Sequence, residues 1–460
     1  MQHKSTRGKV QNLSFEETVM MGLADDGGLL IPDSIPQVQD CLQEWSKYSF
    51  SELSLAIMLR FIEKEIAHDE LKNLIEHSYS SFDHHEVTPV VSVGALSILE
   101  LFHGPTYAFK DVALQFLGNL FEFFLQKQNR SLTVLGATSG DTGSAAIYGL
   151  RGKKNVHVFM LHPNGRVSPM QKLQMTTVLD ANIHNLAVEG TFDDAQAIVK
   201  ALFNDLEFKQ KYCLGAVNSI NWARILAQIV YYFYAYFRIQ PKCKDAVIFS
   251  VPTGNFGDVL AGYYAKKMGL PIDQLLVATN QNDILHRFFE SGQYHKKSVI
   301  PSWSPSMDIQ ISSNFERFLY YLSGEQAGQL CAWMETFQNT GQLDIQGAAL
   351  KVAQSEFSSV AVSEKETMSI IREYKAKYQY TLDPHTAVGV CAAHQHLVKT
   401  PVICLATAHP AKFSQAVKTA TGEEPVLPPA LSSLNEKESR CRLVPANVDA
   451  VRREIVSTLV

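Results

Sequence analysis

The sequence of 460 residues predicts an α/β protein built on mostly parallel sheets. From residue 112 onward, apolar segments of strand length alternate with segments of helical spacing. Two of the predicted strands, at 132–137 and 246–251, lead into a glycine-rich turn and then a helix. Hydrophobic residues make up 46% of the chain and charged residues 19%, which is typical of a globular protein with a large core. Alternating strands and helices indicate parallel sheets covered by helices on both faces.

The predicted elements follow in order along the chain. Residues 1–95 are expected to be mostly helical with short extended pieces, because 51–62 and 69–79 have helical apolar spacing. The GLADDGGLLIP segment, 22–32, has the composition of a loop. The tail, from about 424, is Pro-rich and then amphipathic, and we expect it to pack across the surface. Further strands are expected at 156–161, 183–188, 275–278 and 402–406, and helices at 112–126, 142–149, 193–204, 220–237 and 258–268.

Charge and cysteine content argue against several classes of protein. The net charge of -5 and the lack of a Lys/Arg run disfavour a nucleic-acid partner. The polar start lacks the apolar core of a secretory signal, and the apolar stretch 223–237 is too short to span a bilayer. We therefore expect no membrane association. The seven cysteines are scattered and form no CxxC motif, which favours free thiols and a cytoplasmic location.

Two clusters contain side chains of the kind that bind metals. They are His84-His85-Glu86, and Cys391 with His394 and His396. Neither has the i, i+4 histidine pair and general base of a zinc hydrolase. We expect surface or packing roles for both clusters and no metal site.

A lysine between an aromatic and an acidic residue is the first candidate for catalysis. Lys110 follows Phe109 and precedes Asp111 in the segment HGPTYAFKD. Apolar surroundings favour the free amine of a lysine, and a free amine can hold an aldehyde cofactor as an imine. By itself the pattern also fits a lysine that buries its stem and keeps its charge in water.

Two glycine-rich turns form candidate anion sites. In VPTGNFGD, 251–258, Gly254 and Gly257 let the backbone approach a phosphate, with the N–H groups of Asn255 and Phe256 between them. In GATSGDTGSAA, 136–146, Gly140 opens the turn and the hydroxyls suit a carboxylate: Thr138, Ser139 and Thr142. Neither is a P-loop or a GxGxxG fingerprint, which disfavours a nucleotide ligand. Either turn alone is equally consistent with a glycine turn that binds nothing, but the lysine and both turns together suit pyridoxal phosphate.

The chain resembles the threonine synthase family, in the fold type II group of pyridoxal-phosphate enzymes related to tryptophan synthase β. The resemblance implies parallel sheets flanked by helices, with a larger cofactor domain, a smaller mobile domain and a mostly helical N-terminal region. We place these at 96–130 with 240–460, at 131–239 and at 1–95. The lysine segment, both glycine turns and further motifs occur in the family order: STRG (5–8), LQMTT (173–177), VEGTFDDAQ (188–196), NSINWARILAQ (218–228), ATNQND (278–283), SSNFER (312–317), DPHTAVG (383–389) and ATAHPAKF (406–413).

The resemblance implies a role for each matching residue. Lys110 would hold the cofactor and move protons, Asp141 would face its phenolic oxygen, and the hydroxyl of Thr407 would meet its pyridine nitrogen. The cofactor phosphate and its surroundings would be held by Gly254, Asn255, Phe256, Gly257 and Asp258. The substrate carboxylate would meet Thr138, Ser139, Gly140 and Thr142. The substrate phosphate would meet Asn218, Ser219 and Arg224, although Arg224 also fits a salt bridge on a helix surface.

The implied activity is conversion of O-phospho-L-homoserine and water to L-threonine and phosphate. The closest alternative is a pyridoxal-phosphate-dependent phospho-lyase that releases 2-oxobutyrate, and a distant one is a non-catalytic binding module on the same fold. Intact GNFG and TAHPAKF segments favour the synthase. We expect a small-molecule substrate, a monomer or homodimer, no catalytic role for His385 or His409, and no response to S-adenosylmethionine.

Overall fold

The computed structural model describes residues 1–138, 140–239, 246–396 and 400–459. Its strands are β1 (His3–Ser5), β2 (Leu30–Pro32), β3 (Val90–Val93), β4 (Leu96–Glu100), β5 (Leu132–Ala137), β6 (Val156–Pro163), β7 (Ile183–Glu189), β8 (Leu214–Gly215), β9 (Val247–Pro252), β10 (Ile272–Thr279), β11 (Gln293–His295), β12 (Gln342–Asp344), β13 (Phe357–Ala361), β14 (Val402–Ala406) and β15 (Arg442–Pro445).

The α-helices are α1 (Phe15–Met21), α2 (Leu42–Trp45), α3 (Phe50–Ile62), α4 (His68–Tyr79), α5 (Lys110–Gln128), α6 (Asp141–Leu150), α7 (Pro169–Thr176), α8 (Phe192–Asn204), α9 (Leu206–Lys211), α10 (Trp222–Ile239), α11 (Gly257–Lys267), α12 (Ile284–Ser291), α13 (Phe315–Leu322), α14 (Ala327–Thr340), α15 (Ala348–Glu356), α16 (Glu364–Tyr378), α17 (Pro384–Gln395), α18 (Ser414–Thr421), α19 (Pro429–Ser432) and α20 (Val448–Leu459).

The backbone divides into two compact units. Unit 1 comprises Met1–Phe109 and Ser219–Pro425, and unit 2 comprises Lys110–Asn218 and Val426–Val460. Unit 1 contains a six-stranded sheet in the order β13-β10-β9-β14-β4-β3, parallel except for β3. Every residue of β9 is buried, as expected for a central strand covered on both faces.

The helices of unit 1 begin at residues that satisfy their free N–H groups. Ser49 and Glu52 form a capping box at the start of α3, and Ser363 with Glu366 does the same for α16. Asp383 caps α17 and is followed by a proline at its first position. α10 is buried along almost its whole length, so the predicted helix at 220–237 is confirmed and its apolar stretch lies in the core.

Unit 2 is built on a parallel five-stranded sheet in the order β15-β7-β6-β5-β8. β5 leads through a turn into α6, which packs closely against α5. The close approach depends on two glycines, because a Cβ on Gly118 would lie 1.9 Å from the carbonyl oxygen of Gly149. The two helices therefore meet backbone to backbone.

The predicted α/β class is confirmed, and most predicted elements from residue 112 onward lie within two or three residues of the observed ones. Two expectations need correction. The last residues of the predicted 22–32 loop form β2, which pairs with β1. The tail does not lie across a surface: β15 pairs with β7 as an edge strand, and α20 packs against α8.

The predicted domain limits follow from the family resemblance, and the division of the backbone into two units does not test them. They stay predictions beside the two observed units. In the described part of the chain, no helix is long and apolar enough to cross a membrane.

Candidate active site

Lys110 is the first residue of α5, and the turn before it is fixed by the segment after β14. Within unit 1 the Phe109 N–H donates to the Thr407 carbonyl at 2.8 Å, and Ala108 forms an isolated bridge with Ala408. Tyr107 has a left-handed φ of 58° and donates its hydroxyl to Asp83 at 2.9 Å. Lys110 therefore follows a turn whose main chain is fixed by hydrogen bonds within unit 1.

The turn after β9 has the geometry of a phosphate cradle. Phe256 has a φ of 63°, and this turns the chain so that α11 begins at Gly257 with free N–H groups at its start. A Cβ on Gly254 would lie 2.9 Å from the Ser306 carbonyl oxygen, so only glycine fits there. Gly254 is therefore required by the close approach of the 306–307 backbone, which packs against this turn.

The left-handed conformation of Phe256 is stabilised by burial. Its side chain is 1% exposed and packs among four other phenylalanines of unit 1: Phe289, Phe315, Phe318 and Phe357. Such a conformation costs a non-glycine residue of order 1–3 kcal/mol, and burial of an aromatic ring offsets a cost of that size. The cradle is thus held in shape by the core below it.

Asp258 lies in the first turn of α11, where two tyrosines surround its carboxylate. Tyr231 and Tyr232 donate their hydroxyls to Oδ1 at 2.5 and 2.9 Å, whereas Oδ2 is buried without a hydrogen bond in the described chain. Burial raises the pKa of Asp258 to about 6, although both hydroxyls favour the charged form. The same burial and the carboxylate raise the pKa of each tyrosine well above its usual value.

Arg224 is a buried cation without a carboxylate partner among the described residues. It lies on α10 and is 4% exposed, and within the described ranges its Nε and Nη1 atoms have no hydrogen-bond partner. Burial lowers the pKa of Arg224 to about 10. A buried arginine is normally paired, so an unpaired one points to an anionic ligand. The alternative of a surface salt bridge is excluded by this burial.

The two other residues assigned to the substrate phosphate, Asn218 and Ser219, precede this helix. Ser219 shares a hydrogen bond of 2.9 Å with Ser313 through their hydroxyls, and Asn314 donates to the Ser219 carbonyl at 3.2 Å. Asn218 is the last residue of the first segment of unit 2. Ser219 and Arg224 are therefore both in unit 1, with the cofactor-phosphate turn.

The turn after β5 belongs to unit 2 and is shaped by Thr138. The Thr138 hydroxyl accepts from the N–H groups of Gly140 and Gly143 at 3.1 and 3.0 Å, so it is engaged by the turn itself. Asp141 begins α6, is 5% exposed, and accepts a hydrogen bond of 3.0 Å from the Gln171 side chain. Thr142 follows on the same helix, and Ser139 lies outside the described residues.

Thr407 follows β14, and its main chain is fixed on both sides. Its N–H donates to the Thr386 hydroxyl at 3.1 Å, and its carbonyl accepts from Phe109. Thr386 in turn donates its hydroxyl to Asp383, which also accepts from His385 Nδ1 at 2.9 Å. No hydrogen bond of the Thr407 hydroxyl is found within the described ranges.

Three residues of these networks had no role in the sequence analysis. Gln171 holds Asp141, and Asn314 with Arg317 binds main-chain oxygens beside the phosphate cradle. The SSNFER motif contains the last two, but its letters did not indicate what they contact.

The two clusters of metal-type residues have other contacts. The rings of His84 and His85 stack with their centroids 4.7 Å apart. In the second cluster, His394 Nε2 lies 2.7 Å from the Tyr374 hydroxyl, and His396 Nε2 lies 3.5 Å from the Ser358 hydroxyl. Over the ranges that the structure describes, no group of three or more His, Cys, Asp or Glu side chains could hold a metal ion. The six cysteines of these ranges are free thiols.

Comparison with known proteins agrees with this arrangement. Family models for the threonine synthase N terminus, pyridoxal-phosphate-dependent enzymes and the threonine synthase C-terminal region match residues 2–79, 82–407 and 386–455. The threonine synthase of Schizosaccharomyces pombe is 50% identical over 99% of this chain and 98% of its own length. Threonine synthase-like 2 of Homo sapiens is 39% identical over 96% of this chain and 94% of its own length.

A solved structure extends the similarity to the fold. The crystal structure of pyridoxal-phosphate-bound threonine synthase from Brucella melitensis is 44% identical to this chain, with a TM-score of 0.97. The match covers 100% of this chain and 99% of the other.

Proposed function

The chain belongs to the threonine synthase family of pyridoxal-phosphate-dependent enzymes, and we propose that it converts O-phospho-L-homoserine and water to L-threonine and phosphate. The observation that supports this substrate is the burial of Arg224, whose guanidinium has two nitrogens without a partner among the described residues. A phosphate monoester is an anion with several acceptor oxygens, so it can accept hydrogen bonds from both of these nitrogens.

The residues of the cofactor site fit pyridoxal phosphate. Gly254 lets the turn pack against the Ser306 carbonyl, and the N–H groups at the start of α11 suit the phosphate of the cofactor. In our assignment, Asn255, Phe256 and Asp258 complete that site, Thr407 offers a hydroxyl to the pyridine nitrogen, and Asp141 faces the phenolic oxygen. Lys110 provides the amine that attaches the cofactor. When bound, pyridoxal phosphate supplies a sink for the electrons released at the substrate carbons.

Lys110 is proposed to be the group that moves protons. Its amine would remove the proton from the substrate α-carbon and would return a proton to that carbon at the end of the reaction. Removal of a proton from the β-carbon then expels phosphate from the γ-carbon, and the γ-carbon is reprotonated. Water would supply the hydroxyl group of the β-carbon, and the proton that Lys110 returns to the α-carbon would complete L-threonine.

The remaining assigned residues hold the substrate. Arg224, Ser219 and Asn218 bind its phosphate, and a buried guanidinium stabilises the leaving phosphate more strongly than an exposed one because water does not screen it. Thr138, Ser139, Gly140 and Thr142 bind its carboxylate, in a smaller domain that we place at 131–239. Closure of this domain would keep bulk water from the reacting carbons until water is required.

A second candidate activity uses the same site. A phospho-lyase would release 2-oxobutyrate if the intermediate were hydrolysed before water reached the β-carbon. The synthase is favoured because the S. pombe threonine synthase is 50% identical to this chain, against 39% for the human threonine synthase-like 2. We also propose a cytoplasmic monomer or homodimer without a nucleic-acid partner, since the described cysteines are free and the net charge is -5.

One assay separates the two activities. Purified protein is incubated with O-phospho-L-homoserine and pyridoxal phosphate, and phosphate, threonine and 2-oxobutyrate are quantified together. Phosphate matched by threonine supports the synthase, whereas phosphate matched by 2-oxobutyrate shows the phospho-lyase. If the protein forms a borohydride-reducible imine but releases no phosphate, the cofactor assignment is correct and the substrate assignment is wrong.

A further inference from the structure

Residues 312–317, SSNFER, contact both of the segments that we assign to phosphate groups. On one side they contact the cofactor-phosphate turn. Ser312 donates its hydroxyl to the Gly254 carbonyl, and the Asn314 main-chain N–H donates to the Asn255 carbonyl at 3.0 Å. Phe315 also packs edge-on against Phe256, with ring centroids 5.1 Å apart. We call residues 312–317 the clamp.

The other side of the clamp contacts the segment that begins at Ser219. The hydroxyls of Ser313 and Ser219 share a hydrogen bond of 2.9 Å, and Arg317 Nη2 donates to the Ile220 carbonyl at 2.5 Å. Every residue in these contacts belongs to unit 1. The clamp therefore joins the two phosphate segments within one compact unit.

One side-chain amide links the two segments directly. Asn314 is fully buried, and its Nδ2 donates to the carbonyls of Asn255 and Ser219, at 3.2 Å each. Its Oδ1 accepts from Arg317 Nη1 at 2.5 Å. Because arginine can only donate, this bond fixes the orientation of the amide and leaves Nδ2 facing both carbonyls.

Arg317 itself is anchored in the N-terminal region. It is fully buried, and its Nε and Nη2 donate to the Leu30 carbonyl at 3.0 and 2.9 Å. This carbonyl belongs to β2, which lies within the residues matched by the threonine synthase N-terminal model. The N-terminal region thus holds the arginine that orients the shared amide.

We propose that the clamp couples the binding of the cofactor phosphate to the binding of the substrate phosphate, with Asn314 as the positioning residue that transmits the coupling. The inference rests on the phosphate assignments of the proposed function. A phosphate bound on either segment orders carbonyls that the same amide holds, so the second phosphate meets a segment that is already ordered. Coupling of this kind is reciprocal and typically changes an affinity by about 5- to 150-fold.

The test measures cofactor release, which does not depend on turnover. Pyridoxal-phosphate-loaded enzyme is diluted into an excess of a scavenger protein that binds the free aldehyde, with and without inorganic phosphate at constant ionic strength. Because the scavenger prevents rebinding, competition of phosphate for the emptied cofactor site does not affect the rate. We expect phosphate to slow release by roughly 5-fold or more in the wild-type enzyme, since coupled affinities differ mostly in dissociation rate.

Asn314→Asp is the informative variant. It preserves shape and adds a carboxylate for Arg317 to bind, but it removes both donated hydrogen bonds. We expect phosphate to have little effect on release from this variant. Asn185→Asp is the matched control, because Asn185 is also buried and donates its amide to one carbonyl, that of Met175 in unit 2. The control should respond to phosphate as the wild type does.

Either of two results would overturn the proposal: no effect of phosphate on the wild type, or the same slowing in Asn314→Asp. Should that variant not fold, Ser313→Ala replaces it, since it removes only the bond to Ser219 and should reduce the slowing. Unchanged slowing in Ser313→Ala would also count against the clamp. If the wild-type enzyme makes threonine but releases its cofactor equally fast with and without phosphate, the coupling is refuted and the proposed function stays intact.

Discussion

Replacing Arg224 by methionine should raise the stability of the protein and abolish efficient use of the substrate. The pKa of Arg224 falls from a usual value of about 12.5 to about 10 because the guanidinium is buried without a carboxylate partner among the described residues. A tenfold change in an equilibrium corresponds to about 1.4 kcal/mol, so the charge costs the folded protein about 3 kcal/mol at neutral pH. Methionine removes this cost and keeps most of the apolar volume.

The expected loss in substrate binding is of the same size. A hydrogen bond to a charged group contributes about 1.5–3 kcal/mol, and a guanidinium can make two such bonds to one phosphate. Arg224→Met should therefore raise KM for O-phospho-L-homoserine by about 100-fold or more. In cofactor-loaded protein, phosphate should also increase the thermal stability of the wild type more than that of the variant, because the variant lacks the guanidinium that binds it.

Arg317→Met is the control for this experiment. Arg317 is equally buried, and burial lowers its pKa to about 10 as well, but its guanidinium donates to Leu30, Ile220 and Asn314. Its removal leaves these acceptors unsatisfied, at about 1–3 kcal/mol each, so this variant should lose stability. Urea unfolding in phosphate-free buffer measures both variants. Equal destabilisation by the two substitutions, or an unchanged KM in Arg224→Met, would refute a phosphate role for Arg224.

Three further predictions concern the cofactor site. Lys110→Ala should lose the imine absorbance and turnover while its circular dichroism stays unchanged; residual turnover would remove Lys110 from its catalytic role. Gly254→Ala should weaken cofactor affinity by about 10-fold or more, since its Cβ would lie 2.9 Å from the Ser306 carbonyl and such overpacking costs about 1–3 kcal/mol; fluorescence titration measures this, and unaltered affinity would contradict the cradle. The pKa of Asp258 is raised to about 6, so the folded state binds this proton more tightly than the unfolded state, and stability should fall as the pH rises from about 4 through 6. Asp258→Asn should lack this component of the fall, and identical pH–stability curves for the two proteins would refute the shift.

The sequence predicted the parallel strands and the helices between them because each has a strong local pattern. β9 is apolar except for Ser250, and α10 is long and lacks acidic residues, so both are recognisable from their own sequences. The short edge strands were harder to predict. Three of the four residues of β15 are exposed, and this strand forms because β7, far away in the sequence, pairs with it.

The candidate site shows the same division between local and long-range information. Lys110, Gly254 and Thr407 belong to contiguous motifs, and contiguous motifs can be matched without knowing their surroundings. The contacts of Gln171 and Arg317 could not be found in this way. Arg317 binds the Leu30 carbonyl 287 residues away, and a main-chain acceptor has no signature in the sequence.

By itself, then, the sequence determined the fold class, the family, the cofactor and the residues that occur in its motifs. Only the tertiary structure decided what those residues contact. Arg224 is buried with two nitrogens unpaired among the described residues, and two tyrosine hydroxyls donate hydrogen bonds to Asp258. The side-chain amide of Asn314 donates hydrogen bonds to two separate loops. Burial and hydrogen bonding depend on residues that approach from distant parts of the chain, and these set the charge state and orientation of a side chain. Local patterns encode the elements, whereas the environment of each functional group is a property of their packing.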